Sequence, residues 1–214
     1  MTDFTTCFNE ISDLLQKGKT KDIVGAVEKA LSEGAAPVDI LEKGLISGMG
    51  EIGEKFKNGE VFVPEVLIAA RAMNRASAVL KPALTDAGVQ PVGKAVICTV
   101  KGDLHDIGKN LVKMMIEGKG VEVIDLGSDC SSEKIVEAVR ESGARVVCLS
   151  ALLTTTMMSQ KDTIDALAAA GLRDSVKVMV GGAPVTQSFA DEIGADAYTP
   201  DAASAAEVCR AFYN

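Results

Sequence analysis

Lys94-Ala-Val-Ile-Cys-Thr-Val-Lys-Gly-Asp-Leu-His-Asp-Ile-Gly108 reads as a strand, a polar turn and the opening of a helix. The run through Val100 is apolar and β-branched with almost no alternation, the mark of a strand buried on both faces. A helical pattern then holds from Ile107 to Glu117. Downstream the pair of signals recurs. Apolar runs lie at Val121–Leu126, Arg145–Leu149, Lys177–Val180 and, more weakly, Ala195–Tyr198, and helical patterns at Ser132–Glu141, Met157–Ala170, Val185–Ile193 and Ala202–Tyr213. Strand–helix alternation repeated in this way predicts an α/β domain with a five-stranded parallel sheet covered on both faces. In such a sheet ligands bind in the loops beyond the carboxyl ends of the strands.

Upstream, from Phe4 to Ala87, apolar residues return at helical rather than strand spacing. Phe4, Phe8, Ile11, Leu14 and Leu15 share one face of a first helix stopped at Gly18, and Ile23, Val24, Val27, Ala30 and Leu31 make a second that ends at Gly34. Pro37 suits the first turn of a third helix running from about Val38 to Phe56, and Pro64 opens a fourth. Four helices with short connections predict a bundle. Gly88-Val-Gln-Pro-Val-Gly93 is aperiodic and carries turn formers, so a helical domain is expected at 1–88, a linker at 89–93 and the α/β domain at 94–214.

The 214 residues carry 22 Lys and Arg against 30 Asp and Glu, a net charge of −8. Ten cationic face thirteen acidic side chains in residues 1–88, and twelve face seventeen in the remainder, so neither half is a basic arm and a nucleic-acid partner is excluded. Six Phe, two Tyr and no Trp leave the core to aliphatic side chains and offer no base-stacking platform. The five cysteines are scattered without a CxxC pair, which speaks against zinc and a disulfide framework and for a reducing compartment. No apolar run of about 18 residues is present, and Met1-Thr-Asp-Phe4 lacks a basic start. A soluble cytoplasmic protein with no membrane partner is expected.

Three strand exits carry the candidate chemistry. The first holds Gly102, Asp103, Leu104, His105, Asp106, Ile107 and Gly108, and His105 is the single histidine of the chain. A carboxylate two residues away can hold one ring nitrogen while the other meets a ligand. Taken alone, the same residues equally fit a histidine that hydrogen-bonds its own loop. One histidine is too few for a metal-dependent phosphohydrolase, and G-x-S-x-G and G-x-G-x-x-G are both absent. The second exit is Ser150-Ala-Leu-Leu-Thr-Thr-Thr-Met157, small hydroxyls among leucines; the third is Val180-Gly-Gly-Ala-Pro184, where missing side chains admit a ligand to the backbone. Separately these are an N-cap and a tight turn; together they leave one sheet edge.

In this order, Asp103-x-His105-x-x-Gly108, Ser150-x-Leu152 and Gly181-Gly182 resemble the signature of vitamin B12-binding domains that hold cobalamin with its benzimidazole tail displaced. Asn58-Gly-Glu-Val-Phe-Val-Pro-Glu-Val66 and Ala69-Ala-Arg-Ala-Met73 resemble the helical cap of methyl-transferring members, and the two matches span nearly the whole chain. The resemblance implies a four-helix cap followed by a Rossmann-like (flavodoxin-like) domain. It implies His105 as lower axial ligand of cobalt, Asp103 on the other imidazole nitrogen, and Thr156 as third member where methionine synthase has serine. A proton moving along these three would accompany the switch between bound and detached imidazole. Ser150, Leu152, Thr154, Thr155, Gly181, Gly182 and Ala183 would line the tail slot. Gly108 would admit the phosphate-sugar portion, and Phe62 and Val66 would cover the upper cobalt face.

A chain of this length with only these modules is similar to the corrinoid proteins of multi-component methyltransferase systems. That implies methylcobalamin, hydroxocobalamin or a related corrinoid as cofactor. The implied partners are a substrate-specific methyltransferase acting on methanol, a methylamine, a betaine or a methoxylated aromatic, a methyl-accepting methyltransferase serving tetrahydrofolate or coenzyme M, and a corrinoid-reactivating protein. A carrier subunit rather than a complete catalyst is expected. The same signature serves the B12-binding subunit of adenosylcobalamin mutases and B12-dependent regulators. The helical module has no obvious place in the former, and the acidic first half does not suit the latter.

Overall fold

The computed structural model describes residues 4–214; Met1, Thr2 and Asp3, read above for an export signal, lie outside the described residues. The chain divides into two compact units, one ending at Gln90 and the other beginning at Pro91, a division inside the aperiodic Gly88–Gly93 segment.

The first unit is helical. Helix α1 spans Thr5–Gln16, α2 Thr20–Ser32 and α4 Val63–Asp86, while α3 is one rod assembled from a first turn Pro37–Asp39, a π-helical stretch Ile40–Ile46 and an α-helix Ser47–Lys57. The sequence predicts α3 as an ordinary helix; the π stretch is a departure with a packing cause. Ile40 and Leu45 are both fully buried and five residues apart, so the wider π turn keeps them on the face that continues with Met49 and Ile52. On that face a Cβ at Gly44 would lie 3.0 Å from the Ile11 side chain, and one at Gly48 would lie 3.0 Å from the Ser12 backbone. Helices α1 and α3 therefore pack backbone to backbone. Gly18, at φ 63°, ends α1 where a Cβ would overlap Ile68 at 1.9 Å. At the start of α4 the Glu65 carboxylate accepts the Phe62 N–H at 3.0 Å.

The second unit is α/β. Strands β1 (Lys94–Thr99), β2 (Glu122–Asp125), β3 (Val146–Ser150), β4 (Lys177–Gly181) and β5 (Ala197–Tyr198) form one parallel sheet in the order β2-β1-β3-β4-β5. Helices α5 (Ile107–Glu117), α6 (Ser132–Ser142), α7 (Met158–Ala169), α8 (Gln187–Ile193) and α9 (Ala202–Ala211) connect and follow them. This is the flavodoxin-like order, with its topological switch between β1 and β3. Val96, Cys98, Val147, Leu149, Val178 and Val180 face a core completed by α6, α7 and α8, and α5 packs with α9. Register matters most for function. Thr99 pairs with Ser150, and Ser150 with Gly181, so the three polar exits begin side by side on one line across the sheet. No helix among the described residues is long and apolar enough to cross a membrane.

Two glycines in the helical unit test the packing account with opposite signs. Gly25 lies inside α2, and a Cβ added to it would meet nothing within 4 Å, so Gly25→Ala is expected to stabilise by about 0.5–1 kcal/mol. Gly48→Val is expected to destabilise by about 1–3 kcal/mol, because α1 must move to admit it. Urea denaturation of both variants measures the two shifts.

Candidate functional site

The site is built at the switch point, around a carboxylate with no exposed surface. Asp103 is fully buried at the exit of β1, where its two oxygens are divided between two loops. Oδ1 accepts the His105 N–H at 3.0 Å and meets His105 Nδ1 at 2.7 Å. Oδ2 accepts the N–H of Leu152 at 2.7 Å, the N–H of Leu153 at 3.3 Å and the Thr156 hydroxyl at 2.8 Å, all from the loop after β3. Burial alone would push this carboxyl up. The bonds from the His105 and Leu152 amides, the Thr156 hydroxyl and the imidazole outweigh it and hold the pKa well below the usual carboxylate range. Asp103 is therefore a carboxylate that can only accept.

That charge state settles the imidazole tautomer. Facing an obligate acceptor, Nδ1 must carry the proton, which leaves Nε2 of the neutral ring with its lone pair free. Nε2 makes no hydrogen bond among the described residues, and the His105 side chain is 52% exposed. The backbone beneath it is pinned by buried Thr99, whose hydroxyl donates to the His105 carbonyl at 2.8 Å. The exits that hold Asp103 and His105 also carry an apolar rim. Leu104, Ile107, Leu152, Leu153 and Met158 are all exposed, an unusual grouping of large hydrophobic side chains at one sheet edge.

Thr156 is buried, and its single proton is within reach of both Asp103 Oδ2 and the Leu153 carbonyl at 2.9 Å. Its methyl carbon lies 3.5 Å from where a Cβ on Gly102 would sit, and Gly102 holds a φ of 83°. The added methyl thus packs over a glycine. On the third exit, Gly182 has a φ of 133°, and a Cβ there would fall 1.8 Å from the Ala151 carbonyl oxygen, so no side chain fits. Asp106 opens α5, and its carboxylate accepts from Asn110 at 3.1 Å. A Cβ at Gly108 would meet nothing, which leaves the first turn of α5 open. Thr154, Thr155 and Ala183 are exposed and Ser150, Gly181 and Gly182 half-buried.

Sequence reasoning singled out most of these residues, and the structure joins His105, Asp103, Leu152 and Thr156 by direct bonds. Phe62 and Val66 belong to the helical unit; Phe62 is 66% exposed and Val66 fully buried. Reasoning from sequence missed Thr99, Leu153, Met158, Asp129 and Gln160. Gln160 is fully buried in α7 and donates to the carbonyls of Leu149 at 2.9 Å and Gly181 at 3.1 Å, where β3 and β4 part, while its Oε1 has no partner among the described residues. A polar residue in an otherwise apolar strand marks Thr99, and a polar residue on the buried helix face marks Gln160. Nothing in the sequence marks Asp129.

A model of a B12 binding domain matches residues 93–209, and a second, also described as a B12 binding domain, matches residues 7–81. The chain is 42% identical over 205 residues to dimethylamine corrinoid protein 3 of Methanosarcina acetivorans, covering 96% of each. It is 46% identical over 188 residues to a trimethylamine corrinoid protein of Methanosarcina barkeri, covering 87% of each. The chain belongs to the corrinoid proteins of methyltransferase systems. A cobalamin-binding protein from Desulfitobacterium hafniense shares the fold of this corrinoid protein at TM-score 0.82 and 34% identity, covering 99% of both chains. A chain of the methanol:cobalamin methyltransferase complex MtaBC from Methanosarcina barkeri superposes at TM-score 0.87 and 29% identity, covering 97% of this chain and 80% of that one. B12 binding domains thus account for both units of the corrinoid protein, and the bound group is of the cobalamin type. Its own residues fit that cofactor: a free ring nitrogen beside exposed apolar side chains, a first turn of α5 left open at Gly108, and an orphaned buried oxygen on Gln160 where β3 and β4 part.

The Thr156 bond yields a pH test with a definite sign. Because the folded pKa of Asp103 is depressed, its stabilisation is complete above the ordinary carboxylate value of about 3.9 and is lost as pH falls toward the folded value. Thr156→Val removes one donor and raises that folded pKa. The variant is expected to lose about 1–2 kcal/mol at pH 7 and to begin acid unfolding at higher pH, whereas Thr156→Ser keeps both properties. Denaturant titrations at pH 7 and acid titrations followed by circular dichroism measure the difference.

Proposed function

We propose that this corrinoid protein carries its cofactor with His105 Nε2 as the lower axial ligand of cobalt. It would receive a methyl group from a substrate-specific methyltransferase and yield it to a second methyltransferase that serves tetrahydrofolate or coenzyme M. The single observation that carries the reading is the 2.7 Å contact between His105 Nδ1 and a carboxylate held ionised, which puts the proton of the neutral ring on Nδ1 and its lone pair on Nε2. Bound there, a corrinoid supplies a cobalt centre that accepts a methyl group when reduced and gives it up to a nucleophile.

The chain's own residues set the conditions. Asp103 fixes the tautomer by accepting from Nδ1, so that the lone pair of the neutral ring lies on Nε2. Thr156, donating to Oδ2, helps hold Asp103 ionised and in place, and is the third member of a His105–Asp103–Thr156 relay along which a proton would move as the imidazole switches between bound and detached. Leu104, Ile107, Leu152, Leu153 and Met158 offer the flat apolar face that a macrocycle needs and exclude water from it. The Ser150, Thr154, Thr155 and Gly181–Ala183 exits would form the slot for a displaced tail.

Among the possible donors a methylated amine is the best supported, since relatives named for dimethylamine and trimethylamine stand at 42% and 46% identity and one named for monomethylamine at 41%. Their near-equal likeness supports a choice of amine made by the partner enzyme. A corrinoid-reactivating protein would restore oxidised cobalt.

The test loads the chain with cobalamin, reduces it to cobalt(I) and mixes it with candidate methyltransferases and each methylated donor while the visible spectrum is followed. Methyl transfer with a methylamine enzyme is expected. Strict dependence on the adenosyl form, with no transfer from any donor, would instead favour a mutase subunit or a sensor. His105→Ala is expected to abolish imidazole-nitrogen hyperfine coupling in the cobalt(II) spectrum; an unchanged spectrum removes His105 as the ligand.

A further inference from the structure

Asp129, in the loop between β2 and α6, is the only described residue other than glycine with a positive φ, at 52°. Aspartate tolerates that region better than most residues, but such outliers persist where the surroundings impose them and cluster at functional sites. The surroundings here are the peptide before Gly102 and the peptide after Asp103. Asp129 Oδ1 accepts the Gly102 N–H at 2.8 Å, and the Asp129 N–H donates to the Asp103 carbonyl at 2.9 Å. The clamp is reciprocal, with side chain to one residue and backbone to the next. It is continued by Cys130, whose N–H donates to the Thr99 carbonyl at 3.1 Å, and Thr99 is the residue whose hydroxyl holds the His105 carbonyl. Both peptides flanking the Asp103 nitrogen are thereby tied to the loop after β2, while its carboxylate is tied to the loop after β3.

We propose that Asp129 is a positioning residue for the imidazole: by fixing Gly102 and Asp103 in place, it keeps Oδ1 against His105 Nδ1 and so keeps Nε2 free to ligate. The positioning of the ring concerns the protein alone, and only ligation by Nε2 rests on the function proposed above. Its hydrogen bonds go to Gly102 and Asp103 and not to His105, so its effect passes through Asp103.

The chain has one histidine, so nitrogen NMR of the protein without cofactor reports a single imidazole. At about pH 9, where an imidazole is neutral, the wild type is expected to show Nδ1 protonated and Nε2 bare. Asp129→Gly keeps the left-handed backbone at no steric cost and deletes the acceptor. It is expected to shift both ring nitrogens toward the averaged values of a tautomer mixture. Asp129→Asn keeps Oδ1 and tolerates the same φ, and is expected to restore the wild-type pattern. In the cobalamin-loaded, cobalt(II) protein the imidazole-coupled fraction should fall roughly tenfold in Asp129→Gly, at the low end of what outer-shell changes cost a metal site. Ring shifts unchanged in Asp129→Gly, or displaced as far in Asp129→Asn as in Asp129→Gly, would overturn the proposal. A wild type with the expected tautomer but no nitrogen coupling to cobalt would overturn ligation by His105 and leave the positioning role standing.

Discussion

One buried carboxylate governs this molecule's chemistry. Asp103 has no solvent to stabilise its charge, so the protein must supply every donor, and it draws them from both sides of the switch point: the His105 amide and ring from the β1 exit, and the Leu152 amide and Thr156 hydroxyl from the β3 exit. Each bond that keeps Asp103 ionised also fixes a residue that a corrinoid would touch. Withdrawing one donor thus affects the tautomer of His105 and the placement of the neighbouring loop at the same time. Charge and geometry are one device here.

Much of this was legible in the sequence because the strands are buried on both faces and therefore unbroken, which made β1, β3 and β4 easy to bound. The helices that open at Ile107, Ser132 and Ala202 begin where the patterns begin. The site followed from position: polar or small residues directly after such strands can only lie at the carboxyl edge. The π stretch in α3 was not legible, since Ile40 and Leu45 differ from a plain helical repeat by a single residue of spacing and any window of that size absorbs the difference. Asp129 was hidden for another reason. Its role depends on a backbone angle and on two bonds made 26 and 27 residues back along the chain, neither of which leaves a periodic trace.

The threonine at 156 shows how far a resemblance reaches. Where a serine would supply only the hydroxyl, the methyl of Thr156 finds a place over Gly102, itself in a conformation that a side chain would strain. The pair Gly102–Thr156 is best seen as one choice made at two positions.

The common register of Thr99, Ser150 and Gly181 has a further consequence. Adjacent strands sit about 4.8 Å apart, so three neighbouring exits span about 10 Å whatever residues follow them. The footprint offered to a ligand is therefore set by the backbone ladder and not by the loops. Evolution can rewrite the loops to tune affinity or reactivity without altering the width of cargo accepted, and a cargo of different breadth would require recruiting another strand.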